Sequence, residues 1–236
     1  MIRPKARAAL TACLALALGG ALAGCGSDAR STEGTRLAGG EIGRMLNGLL
    51  HRGKAEAGPG PDAETMARQA LADNQGPLIL TNFESQNSTT IFGLSGENGT
   101  MRTYASPASQ ALILRDGLVA GSRGFGFDVM SGEVDALGAL VRDRRAGTAD
   151  YTLRYLDGLG QERPVPMQCT VTPGPEQSYP FAGQTWSGTL MAAHCTTSGG
   201  YAFDDTFIVA ETGAVLSSRQ WIGPEIGFVT IQTVRP

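Results

Sequence analysis

From Gly76 to the C-terminal residue, short runs of alternating apolar and polar residues are separated by turns that contain glycine. A period of two places one face of an extended strand against a core. The dipeptides Asn98-Gly99, Asp116-Gly117 and Asp157-Gly158 tolerate the positive φ angles that tight hairpin turns need. Strands joined in sequence by short turns predict an all-β, mainly antiparallel meander, which forms a half-barrel, a barrel or a sandwich. Residues 132–144 are compatible with either a short helix or a crossing loop.

The segment before Gly76 has a different pattern and predicts short N-terminal helices. Residues 40–50 and 62–74 each carry apolar residues at helical spacing. The second stretch places Met66, Ala70 and Leu71 on one face, and we expect that face to dock on the β-rich domain and not to lie on the membrane.

The first residues are typical of a signal peptide. Basic residues at positions 3, 5 and 7 precede an apolar run, Ala8 to Ala23, that is shorter than the ~20 residues needed to span a bilayer. The run ends in Leu22-Ala23-Gly24-Cys25, which is similar to the lipobox of bacterial lipoproteins. We therefore predict cleavage before Cys25 and acylation of its thiol, with palmitate among the acyl chains. A plain secretory signal that happens to contain a cysteine is the alternative.

The residue after Cys25 bears on the membrane that the protein reaches. It is Gly26, whereas an Asp at this position favours retention in the inner membrane of Gram-negative bacteria. The sequence therefore predicts the outer membrane, held by two or three acyl chains, which anchor stably where one chain does not. The predicted organisation is a signal peptide (1–24), a lipidated tether with short helices (25–75) and a β-rich, periplasm-facing domain (76–236).

Charge limits the partners of the mature chain. Without the three basic residues of the signal peptide, 16 Lys and Arg face 22 Asp and Glu, a formal charge of −6. Nucleic acids and anionic lipid surfaces attract basic proteins. We therefore expect no nucleic-acid partner.

Two cysteines, Cys169 and Cys195, remain once the signal peptide and Cys25 are set aside. Beyond the inner membrane the compartment is oxidising, so they predict one disulfide. We expect it on neighbouring strands, with the two Cα atoms about 5.5–6 Å apart. A metal site would need more ligands: His194 is adjacent to Cys195 and would point to the opposite face of a strand, and His51 is distant. No metal is predicted.

Two stretches, residues 103–131 and 203–234, carry a set of glycine turns and apolar strands in a distinctive order. The matching segments are Arg115-Asp116-Gly117, Gly121 to Asp128, Phe207 to Val209, Gly213 to Trp221 and Gly227 to Ile231. In order and spacing they resemble the YjbF/GfcB family of bacterial lipoproteins, which are encoded with exopolysaccharide and group 4 capsule export systems.

The resemblance implies a β-rich domain on the outer membrane that works in polysaccharide secretion and has no known catalytic activity. It also implies polysaccharide and export-system proteins as partners. One segment departs from the family: where many members carry an aromatic pattern (Tyr-Trp-x-Asp), this chain has Phe207-Ile208-Val209-Ala210. The surface at that strand is therefore expected to differ.

The chain lacks the usual signatures of an active site. No Gly-x-Ser-x-Gly motif is present, and the glycines at 121, 124 and 126 lack the spacing and the βαβ context of a dinucleotide site. No cofactor is predicted. Two acidic pairs, Asp204-Asp205 and Glu133/Asp135, are candidates for glycoside hydrolysis, although adjacent carboxylates are most often solvated turn residues. We predict that the protein is not an enzyme.

Aromatic residues gather in the C-terminal strands, where they can either fill the core or stack on sugar rings. The candidates for glycan or partner contact are Trp186, Tyr201, Phe207 and Trp221.

Three functional hypotheses follow. The leading one is an outer-membrane lipoprotein that is a non-catalytic component of exopolysaccharide or capsule export. The second is a periplasmic carrier of lipids or lipoproteins, which requires an open, aliphatic concave face. The third is a polysaccharide-modifying enzyme, which requires carboxylates or a histidine that converge in a pocket.

Overall fold

The computed structural model describes residues 62–236. The signal peptide, Cys25 and the helix expected at residues 40–50 lie outside this range. The helices of the described part are α1 (Ala63–Asp73) and α2 (Asp135–Arg142), with a 3-10 turn at Glu84–Gln86. The strands are β1 (Leu78–Phe83), β2 (Ser88–Asn98), β3 (Met101–Ala105), β4 (Ala111–Arg115), β5 (Leu118–Arg123), β6 (Val129–Glu133), β7 (Gly147–Leu156), β8 (Glu162–Phe181), β9 (Gln184–Thr197), β10 (Ala202–Val209), β11 (Val215–Trp221) and β12 (Phe228–Arg235).

All twelve strands belong to one antiparallel sheet, in the order β5-β4-β3-β2-β1-β12-β11-β10-β9-β8-β7-β6. Neighbours in this order are also neighbours in sequence, except that the first strand pairs with the last. The sheet is a nearly closed barrel with β5 and β6 at its two edges. The predicted all-β antiparallel meander is confirmed, and of the three predicted arrangements the chain adopts the barrel.

Of the three dipeptides predicted to supply positive φ angles, only Asp116-Gly117 does so at both residues, and in the β7–β8 turn the positive φ lies at Gly160 and not at Asp157 or Gly158. Asp116 and Gly117 both have positive φ, at 51° and 87°, as the hairpin between β4 and β5 requires. Between β2 and β3 the two central residues are Gly99 and Thr100, and only Gly99 has positive φ. The stretch 132–144 contains a helix, α2, so the crossing-loop alternative is wrong.

The seam between β5 and β6 is held by side chains, because no backbone ladder joins these two strands in the described part of the chain. The hydroxyl of Ser122 accepts from the N–H of Val129 and donates to Asp128, each at 2.9 Å. Arg123 donates to the carbonyl oxygen of Val129 at 3.0 Å. These bonds satisfy backbone groups that an open sheet edge would expose.

Large side chains fill the barrel interior. The biggest of those that are fully buried there are Tyr151, Phe83, Phe92, Phe207, Leu153 and Met191. A carrier of lipids needs an open aliphatic concavity, and the packed interior of residues 62–236 does not favour that hypothesis.

The predicted disulfide is present between Cys169 on β8 and Cys195 on β9. The two Cα atoms are 4.0 Å apart, so the expected separation of about 5.5–6 Å was wrong. The two residues lie directly opposite each other on adjacent antiparallel strands, where the ladder and not the disulfide alone determines the separation of their Cα atoms.

Helix α1 docks on the outside of the barrel, as its apolar face predicts. Asp62 caps its first turn by accepting from the N–H of Thr65 at 2.7 Å. Ala67 and Ala70 are buried on this helix, and with strand residues they form a second, smaller core. The tip of the long β8–β9 hairpin reaches the helix, where the N–H of Ala182 donates to Glu64 at 2.7 Å.

A buried glutamine connects opposite walls of the barrel. Gln220 on β11 is 1% exposed. Its Oε1 accepts from the N–H of Val119 at 2.9 Å, and its Nε2 donates to the carbonyl oxygen of Gly117 at 3.0 Å and to the Ser218 hydroxyl at 2.8 Å. The carboxamide thus pairs with the edge of β5 as a neighbouring strand would.

We predict that Gln220→Leu lowers the free energy of unfolding by about 2–4 kcal/mol, because the N–H of Val119 and the carbonyl of Gly117 lose their partner in a buried site. Urea unfolding of the mature chain measures the effect. The matched control is Gln168→Leu on the exposed face of β8, where we expect a change within about 0.5 kcal/mol. Equal stability of the two variants would contradict this role of Gln220.

Candidate functional site

Successive antiparallel strands turn at alternate ends, so the connections between strands are divided between the two ends of the barrel. The β5–β6, β7–β8, β9–β10 and β11–β12 connections lie at one end, which we call the cleft end. The β2–β3, β4–β5 and β10–β11 turns and helix α2 lie at the other, the helix end.

Four aromatic rings, which we call the aromatic cluster, meet at the cleft end. Tyr201 lies 5.9 Å from Phe203 and 5.7 Å from Trp221, measured between ring centroids. Phe203 lies 4.8 Å from Trp221 and 6.3 Å from Phe228, with the last pair edge to face. These separations are those of interacting aromatic pairs, so the rings support one another.

The aromatic cluster borders a cleft of about 400 Å³, the aromatic cleft. Tyr201, Trp221 and Phe228 line it together with Val165, Thr197, Pro224 and Gly227. Tyr201 is 52% exposed, whereas Trp221 is buried. Tyr201 is therefore the most exposed ring of the cleft, Phe228 is half-buried, and Trp221 is fixed by packing.

The four aromatic residues predicted from the sequence are divided between different places. Tyr201 and Trp221 come together in the aromatic cleft. Phe207 is buried in the barrel core. Trp186 lies in the long β8–β9 hairpin, where its indole N–H donates to the carbonyl oxygen of Phe181 at 3.2 Å.

Three residues beside the cleft, Glu84, Arg219 and Phe228, were not predicted from the sequence. The guanidinium of Arg219 lies 3.5 Å from the ring centroid of Phe228, a cation–π contact. Arg219 also donates to both carboxylate oxygens of Glu84, at 2.6 and 2.8 Å, and this bonding lowers the pKa of Glu84. Glu84 and Arg219 are 135 residues apart in the chain, so no local pattern relates them.

The acidic pair Asp204-Asp205 lies within β10, so the expectation of solvated turn residues was wrong. Adjacent strand residues point to opposite faces. Asp204 is exposed, and its carboxylate lies 2.8 Å from Nδ1 of His194. Asp205 is 1% exposed and accepts from the N–H of Trp221 at 2.7 Å. The two carboxyl groups therefore do not converge on one pocket.

The pKa of Asp205 is raised to about 8; burial is the main cause and the negative charge of Asp204 a smaller one, while the Trp221 N–H and Arg219 act in the lowering direction. The carboxyl is consequently protonated at neutral pH, which is the state that a general acid needs. The other acidic pair forms ordinary surface ion pairs, Glu133 with Arg154 and Asp135 with Arg115. No group of three or more His, Cys, Asp or Glu residues in the range 62–236 is arranged to hold a metal ion.

Residues 43–234 match the family described as "Group 4 capsule polysaccharide lipoprotein gfcB, YjbF". The chain belongs to this family. The resemblance that the glycine turns and apolar strands indicated is thereby confirmed, and the YjbF domain includes both the aromatic cleft and the barrel around it.

A solved structure has the same fold as this YjbF protein. It is the crystal structure of the hypothetical lipoprotein YmcC from Escherichia coli (K12), which has 12% sequence identity and a TM-score of 0.65, over 83% of this chain and 95% of that one. At this identity the likeness concerns the fold alone. No curated protein matches the chain. Neither helix between residues 62 and 236 is long and apolar enough to cross a membrane.

We predict that Asp205→Asn changes how stability depends on pH. Between about pH 4 and pH 8 the unfolded chain releases the Asp205 proton while the folded chain retains it, so wild-type stability falls as pH rises, by up to about 1.4 kcal/mol per pH unit. Asparagine does not titrate and keeps an oxygen for the Trp221 N–H. From pH 4 to pH 7.5, the free energy of unfolding of the variant should therefore increase relative to that of the wild type by at least about 2 kcal/mol.

Urea unfolding at several pH values measures this difference, with the exposed Asp204→Asn as the matched control. Parallel pH profiles for wild type and Asp205→Asn would show that Asp205 has an ordinary pKa in the folded state.

Proposed function

We propose that this YjbF-family protein is a non-catalytic component of exopolysaccharide or capsule export. Acyl chains on Cys25 anchor it in the outer membrane, and the barrel faces the periplasm. The family match supports the pathway, and the lipobox followed by Gly26 supports the anchor and its destination. One observation carries the proposal beyond the family: the exposed ring of Tyr201 opens on a preformed aromatic cleft.

The aromatic cleft has the chemistry that sugar binding requires. The ring face of Tyr201 matches the apolar C–H face of a pyranose. Trp221 and Phe228 extend the apolar wall, and Thr197 adds a hydroxyl. Packing within the aromatic cluster holds the rings in place before a ligand arrives, which reduces the entropy lost on binding.

An export-system protein is the other partner that the cleft end of the barrel can bind. Phe127, Leu156 and Leu159 are exposed on the β5–β6 and β7–β8 connections, at the same end as Tyr201. Large exposed apolar side chains gathered at one place mark an interaction surface. Binding measurements on purified polysaccharide separate the two partners.

We predict that Cys25→Ser abolishes acylation, because the thiol is the acceptor, and releases the protein from the outer-membrane fraction. Metabolic labelling with an alkyne palmitate, followed by fractionation, measures both effects. Label that persists in the serine variant would place the acylation at another residue.

We predict that Tyr201→Ala reduces surface polysaccharide while the abundance of the protein is unchanged. Deletion of the whole protein should reduce surface polysaccharide more severely. Loss of the exposed ring should weaken polysaccharide binding by about fivefold, since stacking contributes of the order of 1 kcal/mol. The matched control is Met130→Ala, which removes a side chain that is 37% exposed and lies outside the aromatic cleft. Normal binding and reduced secretion in Tyr201→Ala would point to a protein partner. Normal binding and normal secretion would remove the cleft from the proposal.

A polysaccharide-modifying enzyme is the second candidate, and the protonated carboxyl of Asp205 is the observation that favours it. In the secretion assay just described, the double variant Asp204→Asn/Asp205→Asn should leave polysaccharide output intact. Loss of output in a stably folded double variant would favour the enzyme instead.

A further inference from the structure

A second cavity, of about 420 Å³, lies at the helix end of the barrel. Its walls come from β1, β3, β4, β11 and β12, and the turns at Gly99, Asp116 and Gly213 surround it. This volume is in the range of ligand pockets, about 300–1,000 Å³. The packed core of the barrel separates this end cavity from the aromatic cleft.

One part of the end cavity is apolar. Ile79, Leu114 and Leu216 contribute aliphatic surface, and the buried ring of Tyr104 lies beside them. The Ser218 hydroxyl, which accepts from Gln220, lines the same space and can still donate its own proton.

The other part carries charged groups that already have partners. Arg142 pairs with Asp116 at 2.9 Å, and both line the end cavity. Arg102 also lines it and pairs at 2.7 Å with Glu97, which lies outside it. Each guanidinium has five N–H donors, so both keep donors for a ligand, while Asp116 keeps acceptor capacity.

We infer that the end cavity binds a single saccharide unit, either a free sugar or the end of a glycan chain. Hydroxyl groups both donate and accept, and an Arg–Asp pair beside an aliphatic wall offers both functions next to an apolar surface. An acyl chain would leave these polar groups without partners, which is costly in a desolvated site. A phosphate group alone would leave the aliphatic wall of Ile79, Leu114 and Leu216 uncovered. This inference does not depend on the aromatic cleft, which lies at the opposite end.

The test uses the mature chain with Cys25→Ser, titrated separately with glucose, galactose, N-acetylglucosamine and glucuronic acid and followed by saturation-transfer NMR. We expect at least one of the four sugars to bind, and Arg102→Gln to weaken its binding by about tenfold or more. Because the Arg102–Glu97 pair is largely exposed, its loss should leave the fold intact. The matched control is Arg68→Gln, which breaks another surface ion pair, with Glu64 on helix α1.

The four sugars distinguish two forms of the ligand. Binding of neutral sugars indicates that hydroxyl bonding dominates, whereas preference for glucuronic acid, lost in Arg102→Gln, indicates an acidic sugar. Binding that survives Tyr201→Ala assigns it to the end cavity and keeps this test separate from that of the proposed function. Two results would overturn the inference: no binding of any of the four sugars at tens of millimolar, or binding that Arg102→Gln and Arg142→Gln leave unchanged.

Discussion

Pairing between β1 and β12 is the constraint on which the rest of the structure depends. Without it, because β5 and β6 share no ladder, the strands would form two separate sheets, β1–β5 and β6–β12, with β1 and β12 exposed as additional edges. With it, β1 is buried on both faces: Ile79 and Phe83 face the main core, while Leu78 and Leu80 face helix α1. The edges that remain are β5 and β6, where the N–H of Val129 donates to Ser122 and the N–H of Val119 donates to Gln220.

Closure also determines where ligands can bind. A barrel whose interior is filled cannot hold a ligand at its centre or pass one through, so any binding between its walls is confined to the two ends. At the cleft end, rings from β10, β11, β12 and the β9–β10 turn converge on an apolar cleft. At the helix end, arginine and aspartate residues on short turns and on α2 surround a half-polar cavity. The two ends thus have different chemistry although the same strands build both.

The sequence predicts those features that local signals determine. Alternation and the Asp116-Gly117 turn indicate strands and hairpins, and helical spacing after Asp62 indicates α1. Closure joins strands about 150 residues apart through apolar residues like those of any other strand, so it has no local signal. The Glu84–Arg219 pair could not be predicted for the same reason. Trp186 and Phe207 show that aromatic residue type alone does not distinguish a contact surface from a core.

The buried carboxyl of Asp205 shows how the cleft end is held. The β10–β11 ladder pairs Thr206 with Arg219 and extends no further toward the cleft. Beyond it, the side chain of Asp205 accepts from the N–H of Trp221 and so adds one more connection between the two strands. A neutral asparagine could accept the same bond without the cost of burying an ionisable group. The carboxyl of Asp205 therefore fixes the backbone beneath the cleft wall, and the free energy of unfolding decreases at higher pH as a result. Asp204 lies on the opposite face of the strand, so the two carboxyl groups do not form a catalytic pair.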